Sequence, residues 1–126
     1  MRLKVLVVDD DPTVRSVLST LLEFEGVDIA TADDGPSALA TAETHQPDVV
    51  LLDVNLPGLD GFDVCRRLKE RSAEQRVVMV TGRTTQEDQL RGATAGADAF
   101  LAKPFSPLEL IEVVRTNLNG KGSLLG

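Results

Sequence analysis

The stretch LKVLVVDDDP, residues 3–12, runs from an apolar segment broken only by Lys4 into three consecutive carboxylates and a proline. Val and Leu without polar alternation suit a strand covered on both faces, as in a parallel sheet. Asp11-Pro12 then supplies an N-cap and a first-turn proline, so a helix starts almost where the strand stops. Val14, Val17, Leu18, Leu21 and Leu22 continue at helical spacing. Asp9 and Asp10 sit between the two elements, where local structure has no use for them.

The same unit recurs along the chain. VDIAT (27–31), DVVLLD (48–53), VVMVT (77–81) and DAFLAK (98–103) read as further strands. Helices follow each of them. Gly35-Pro36 opens the second, with Ala38, Leu39 and Ala42 inward, and Asp60-Gly61 opens the third, with Phe62, Val64, Cys65 and Leu68 inward. Thr84 with Glu87 and Ser106 with Glu109 have capping-box spacing for the fourth and fifth. The pattern (βα)5 predicts an α/β fold: a flavodoxin-like, doubly wound, five-stranded parallel sheet, for which 2-1-3-4-5 is the common strand order. One domain is expected over 1–119. Residues 120–126 read as a tail or the start of a linker, because NGKGSLLG lacks periodicity.

Composition narrows the function classes. The 126 residues are 42% hydrophobic and 26% charged, enough for one soluble core. A net charge of −7 argues against direct nucleic-acid binding and against an anionic membrane surface. No apolar run approaches the roughly 20 residues of a membrane span. One cysteine, Cys65, forms no internal disulfide, which fits a reducing cytoplasm.

In open α/β sheets the working crevice lies beyond the carboxyl ends of the strands. Asp9 and Asp10 close strand one, Asp53 strand three, Thr81 strand four and Lys103-Pro104 strand five. In the order 2-1-3-4-5, strands one and three are neighbours, so Asp10 and Asp53 converge. Two carboxylates ~4 Å apart repel by about 1 kcal/mol in water and by about 4 kcal/mol at an effective dielectric of 20. A divalent cation removes that cost, and all-oxygen ligands without His or Cys favour Mg2+, Mn2+ or Ca2+ over zinc. Thr81 adds a hydroxyl and Lys103 a positive charge, both suited to phosphoryl oxygens. Such a set is equipped to place a phosphoryl group on a carboxylate.

DD at 9–10, LLDVNLPGLDG at 51–61, VTG at 80–82 and KPF at 103–105 together resemble the receiver domain of two-component response regulators, over residues 3 to about 118. The resemblance implies that Asp53 is the phosphoacceptor and that Mg2+ is held by Asp10, Asp53 and the backbone carbonyl of Asn55, with Asp9 helping through water. It implies that Thr81 and Lys103 bind the phosphoryl group, that the Lys103-Pro104 bond is cis, and that Thr81 and Phe100 form a switch. Phe100 stands where the family commonly has Tyr, so burial alone, without a phenolic hydroxyl, biases it. The implied donor is a histidine kinase or phosphotransfer protein, and the implied output is control of a downstream partner or attached domain. The chain then is a monomer or weak phosphorylation-dependent dimer, and a signalling module that assists its own phosphorylation and dephosphorylation rather than an enzyme.

A turnover hydrolase wants a second Asp where Asn55 stands, a nucleotide carrier wants a Gly-rich loop after strand one, and a pseudo-receiver would not need the full acidic set. Asp11 reads as a helix cap, His45 as a surface histidine, Cys65 as a semi-buried thiol, and Arg83 as either a solvated arginine or a group at the mouth of the site. Gly82 reads as keeping the site open. On helix five, Leu108, Ile111 and Leu118 form one stripe while Leu110 and Val113 lie off it. That surplus points to a docking surface on helix four, strand five and helix five. Gln89, Ala99 and Val113 stand where a charged dimer ladder would need charges.

Overall fold

The computed structural model describes residues 3–82 and 85–117. Its elements run β1 (Lys4–Val8), α1 (Pro12–Glu23), β2 (Asp28–Ala32), α2 (Gly35–His45), β3 (Val49–Asp53), α3 (Gly61–Arg71), β4 (Arg76–Thr81), α4 (Gln86–Ala95), β5 (Ala99–Ala102) and α5 (Pro107–Asn117). The five strands are all parallel, in the order β2-β1-β3-β4-β5. The tail at 120–126 lies outside the described residues.

The apolar runs are continuous because both faces of the sheet are covered. Val5, Val7, Val49, Leu51, Val78 and Val80 point to one layer, with Leu18 and Leu22 of α1 and Leu110 and Val114 of α5. Leu6, Val8, Val50, Leu52, Val77 and Met79 point to the other, with Ala38 and Ala42 of α2 and Val64, Cys65 and Leu68 of α3. Period-2 side chains thus divide one apolar run between two cores.

Helix starts follow side-chain capping. Asp11 accepts from the Thr13 N–H at 2.9 Å, with Pro12 in the first turn. Asp34 accepts from the Ser37 N–H at 2.7 Å, and Asp60 from the Phe62 N–H at 2.7 Å. Ser106 and Glu109 cap each other reciprocally, both bonds at 3.1 Å.

Several expectations need correction. Helix α4 is capped by Thr85 with Asp88, one residue on from the expected Thr84 and Glu87: Thr85 Oγ1 accepts from the Asp88 N–H at 3.2 Å and donates to its carboxylate at 2.9 Å. Thr84 and Arg83 lie outside the described residues. Val17 is 49% exposed, because the apolar arc of α1 is wider than the face that the sheet covers. Cys65 is fully buried rather than half-buried. On α5 the inward face is Leu110 and Val114, with Ile111 and Val113 half-buried beside them, and Leu108 is the side chain left 65% exposed. Leu118 lies outside the described residues. The rotation of α5 is set by Leu110 packing into the sheet, which spacing within one helix could not reveal.

Candidate functional site

Parallel topology puts every strand's carboxyl end on one edge of the sheet. Val8 pairs with Leu52, so the residues just beyond, Asp9 and Asp10, meet Asp53 at the end of β3. One carboxylate oxygen from each of Asp9, Asp10 and Asp53 lies within 4.8 Å of the others. Asp9 and Asp53 are buried and Asp10 is exposed.

The main chain is shaped around these groups. Asp9 Oδ1 accepts from the Asp11 N–H at 2.9 Å, and Asp53 Oδ1 accepts from the Asn55 N–H at 3.1 Å. These bonds fix two carboxylates and leave their second oxygens for other partners. Asn55 itself is exposed. The loop after Asp53 returns tightly. A Cβ at Gly61 would stand 2.6 Å from the Asp53 carbonyl oxygen, so α3 can begin here only with glycine. A Cβ at Gly82 would meet nothing within 4 Å among the described residues.

Lys103 enters from the end of β5. Its backbone N–H donates to the Thr81 carbonyl at 2.8 Å, and the Lys103-Pro104 peptide is cis, as expected. Its ammonium donates to Asp9 Oδ2 at 3.0 Å and stands 3.6 Å from Asp53 Oδ2. Thr81 is buried at the end of β4, beside β3 and β5.

The electrostatics follow from this crowding. Burial pushes the Asp53 carboxyl above the usual carboxylate range; the Asn55 N–H and the Lys103 charge oppose that, and the charges of Asp9 and Asp10 add to it. Burial also works against the Lys103 ammonium. The hydrogen bond to Asp9 and the charges of Asp53 and Asp9 outweigh it, so Lys103 holds its proton above the ordinary lysine range. Three carboxylates against one ammonium leave the cluster net negative, and every donor is a hard oxygen, which suits a divalent cation such as Mg2+.

The structure therefore brings together Asp9, Asp10, Asp53, Thr81 and Lys103 at one edge. Phe100 is elsewhere: it is half-buried on β5, with its ring against Gly92 of α4. Pro104 follows Lys103 in the loop that leads to α5. His45 and Cys65 take no part. Arg15 went unread in the sequence. Its guanidinium donates to the Asp9 carbonyl at 2.7 Å and so steadies the turn that carries two of the carboxylates. Its place on α1, three residues after Pro12, carries no signal for that contact. Arg91 was unread as well. It lies 4.3 Å over the Phe62 ring and 3.3 Å from Asp60, joining α4 to the end of the loop that follows Asp53.

Comparison with known proteins agrees with this geometry. The family model described as response regulator receiver domain matches residues 5–115. The DNA-binding response regulator MtrA of Mycolicibacterium smegmatis is 45% identical over 118 residues, covering 94% of this chain and 51% of that protein. The alkaline phosphatase synthesis transcriptional regulatory protein PhoP of Bacillus subtilis is 43% identical over 110 residues, covering 87% of this chain and 46% of that protein. The chain thus spans about half the length of these curated relatives. Among solved structures, the chemotaxis protein CheY4 of Vibrio cholerae superposes with a TM-score of 0.90 at 34% identity, over 94% of this chain and all of that one.

Proposed function

This chain belongs to the response regulator receiver domain family, and on that premise we propose that it is a phosphorylation-controlled switch whose acceptor is Asp53. The observation that carries the reading is the cluster of three carboxylates at the carboxyl edge of the sheet, with the Lys103 ammonium 3.0 Å from Asp9 and 3.6 Å from Asp53. No other cluster of this kind occurs among the described residues.

In the proposed step a carboxylate oxygen of Asp53 attacks phosphorus and forms a new O–P bond. The P–N bond of a phosphohistidine breaks, and the imidazole leaves with the electron pair and takes up a proton. The donor is a histidine kinase or phosphotransfer protein, and acetyl phosphate serves in its place with acetate as the leaving group. Asp10, Asp53 and the backbone carbonyl of Asn55, with Asp9 helping through water, would hold Mg2+ or Mn2+, and a divalent cation there would offset the charge of the phosphoryl oxygens. Lys103 and the Thr81 hydroxyl take the remaining phosphoryl oxygens, for which an ammonium already 3.6 Å from Asp53 is well placed.

Adding a group of charge up to about −2 changes which packing of Thr81 and Phe100 is favoured. The changed surface is that of α4, β5 and α5, which controls a downstream partner or an attached output domain. The chain is a signalling domain; the assistance it gives to its own phosphorylation comes from these site residues. A buried thiol and the absence, among the described residues, of any helix long and apolar enough to cross a membrane support a cytoplasmic setting. With a charge of −7, the chain does not itself contact DNA, and such an activity in its relatives belongs to proteins about twice as long.

Incubation with acetyl phosphate and Mg2+ tests the reading by intact-mass spectrometry. One phosphoryl mass should appear, vanish in Asp53→Asn and be suppressed by EDTA. Equal labelling of Asp53→Asn would place the acceptor elsewhere.

A further inference from the structure

Along β5 and α5 lies a groove of about 410 Å³ lined by the apolar Phe100, Leu101 and Val113 and by the acidic Asp98, Glu109 and Glu112. Among the described residues, no Lys or Arg lines it. Asp98 is already held by Lys69 at 3.0 Å and Arg76 at 3.4 Å, both from outside the groove. Glu109 accepts only the Ser106 N–H, and Glu112 has no ion partner among the described residues. Arg115, the one cation of α5, does not line the groove. Leu108, 65% exposed, stands one helical turn before Glu112, so an apolar foothold adjoins the acidic wall.

We propose that this groove docks a basic, apolar-anchored segment of a separate partner protein: one or two apolar side chains over Phe100 and Val113, and Lys or Arg against Glu109 and Glu112. Charge complementarity selects the occupant. An acidic peptide would meet uncompensated carboxylates, and a second copy would bring a chain of net charge −7 to the same acidic lining. The proposal rests on the reading of α4, β5 and α5 as the output face and adds the chemistry of what that face accepts.

The test is an amide NMR titration of the full chain with acetyl-KLLKKLLK-amide and, separately, with acetyl-ELLEELLE-amide at low salt. The basic peptide should shift Phe100, Leu101, Glu112 and Val113 together, and its affinity should fall at least fivefold at 0.3 M salt, where screening is stronger. The pair Glu109→Gln and Glu112→Gln should weaken it at least fivefold; Gln at 109 keeps the capping-box geometry, so the fold is retained. Equal binding of the acidic peptide, shifts centred on Asp9 and Asp10, or concentration-dependent self-association through the same residues would each overturn the proposal. Phosphorylation of Asp53 is scored separately. Peptide binding without labelling would remove the switch reading alone, and labelling without peptide binding would remove the docking proposal alone.

Discussion

Lys103 and Asp9 are 94 residues apart along the chain and 3.0 Å apart at their charged tips, closer than Lys103 is to Asp53 at 3.6 Å. Without a divalent cation, the lysine is the countercharge of the acidic cluster. Lys103→Met keeps the stem and removes the charge, leaving Asp9 and Asp53 with backbone donors only. The partly exposed ammonium limits the effect to about 1 kcal/mol of stability at neutral pH. Urea denaturation without metal should show that loss, and unchanged stability would mean that the pair contributes nothing.

Mg2+ should raise the thermal midpoint by mass action, and the rise should depend on Asp10. Asp10 is the exposed member of the cluster, so Asp10→Ala leaves the core intact and relieves like-charge repulsion. The variant should be at least as stable as the parent without metal and should lose the Mg2+-dependent rise. A rise of the same size in Asp10→Ala would show that the cation sits elsewhere.

Cys65 predicts a loss of stability in alkali. Burial pushes its thiol from 9.0 up to about 11; Lys69 opposes this and Asp98 adds to it. The unfolded thiol ionises first, so this contribution is complete below the unfolded value and disappears as pH rises from 9.0 to about 11. The full effect is about 3 kcal/mol. Urea midpoints of the parent should fall more steeply across that window than those of Cys65→Ala. Parallel slopes would contradict a protected thiol.

Gly92 predicts a reversal of the usual helix rule. Gly→Ala inside a helix normally stabilises by about 1 kcal/mol. Here a Cβ at position 92 would overlap the Phe100 ring, so Gly92→Ala should cost about 1–3 kcal/mol by overpacking. In a Phe100→Ala background the same change should stabilise. Additive effects in this double-mutant cycle would mean that ring and helix do not touch.

Much was legible in the sequence because the signals were local. DVVLLD reads as a doubly covered strand wherever it is placed, and Asp11-Pro12 and Ser106 with Glu109 start helices through bonds only three residues long or shorter. Asp9, Asp10, Asp53, Thr81 and Lys103 could be grouped in advance because a parallel sheet sends every strand's carboxyl end to one edge. Other features belong to the assembled fold. Arg15 on the Asp9 carbonyl, Arg91 over Phe62 and the Phe100 ring on Gly92 join elements whose relative rotation no single segment encodes. The inner face of α5 is the plainest case: Leu108 and Leu110 are equally apolar, yet the first is 65% exposed and the second fully buried. Hydrophobicity determined that α5 would cover the sheet. Which of its leucines met the sheet depended on close packing against β-strand side chains from distant parts of the chain.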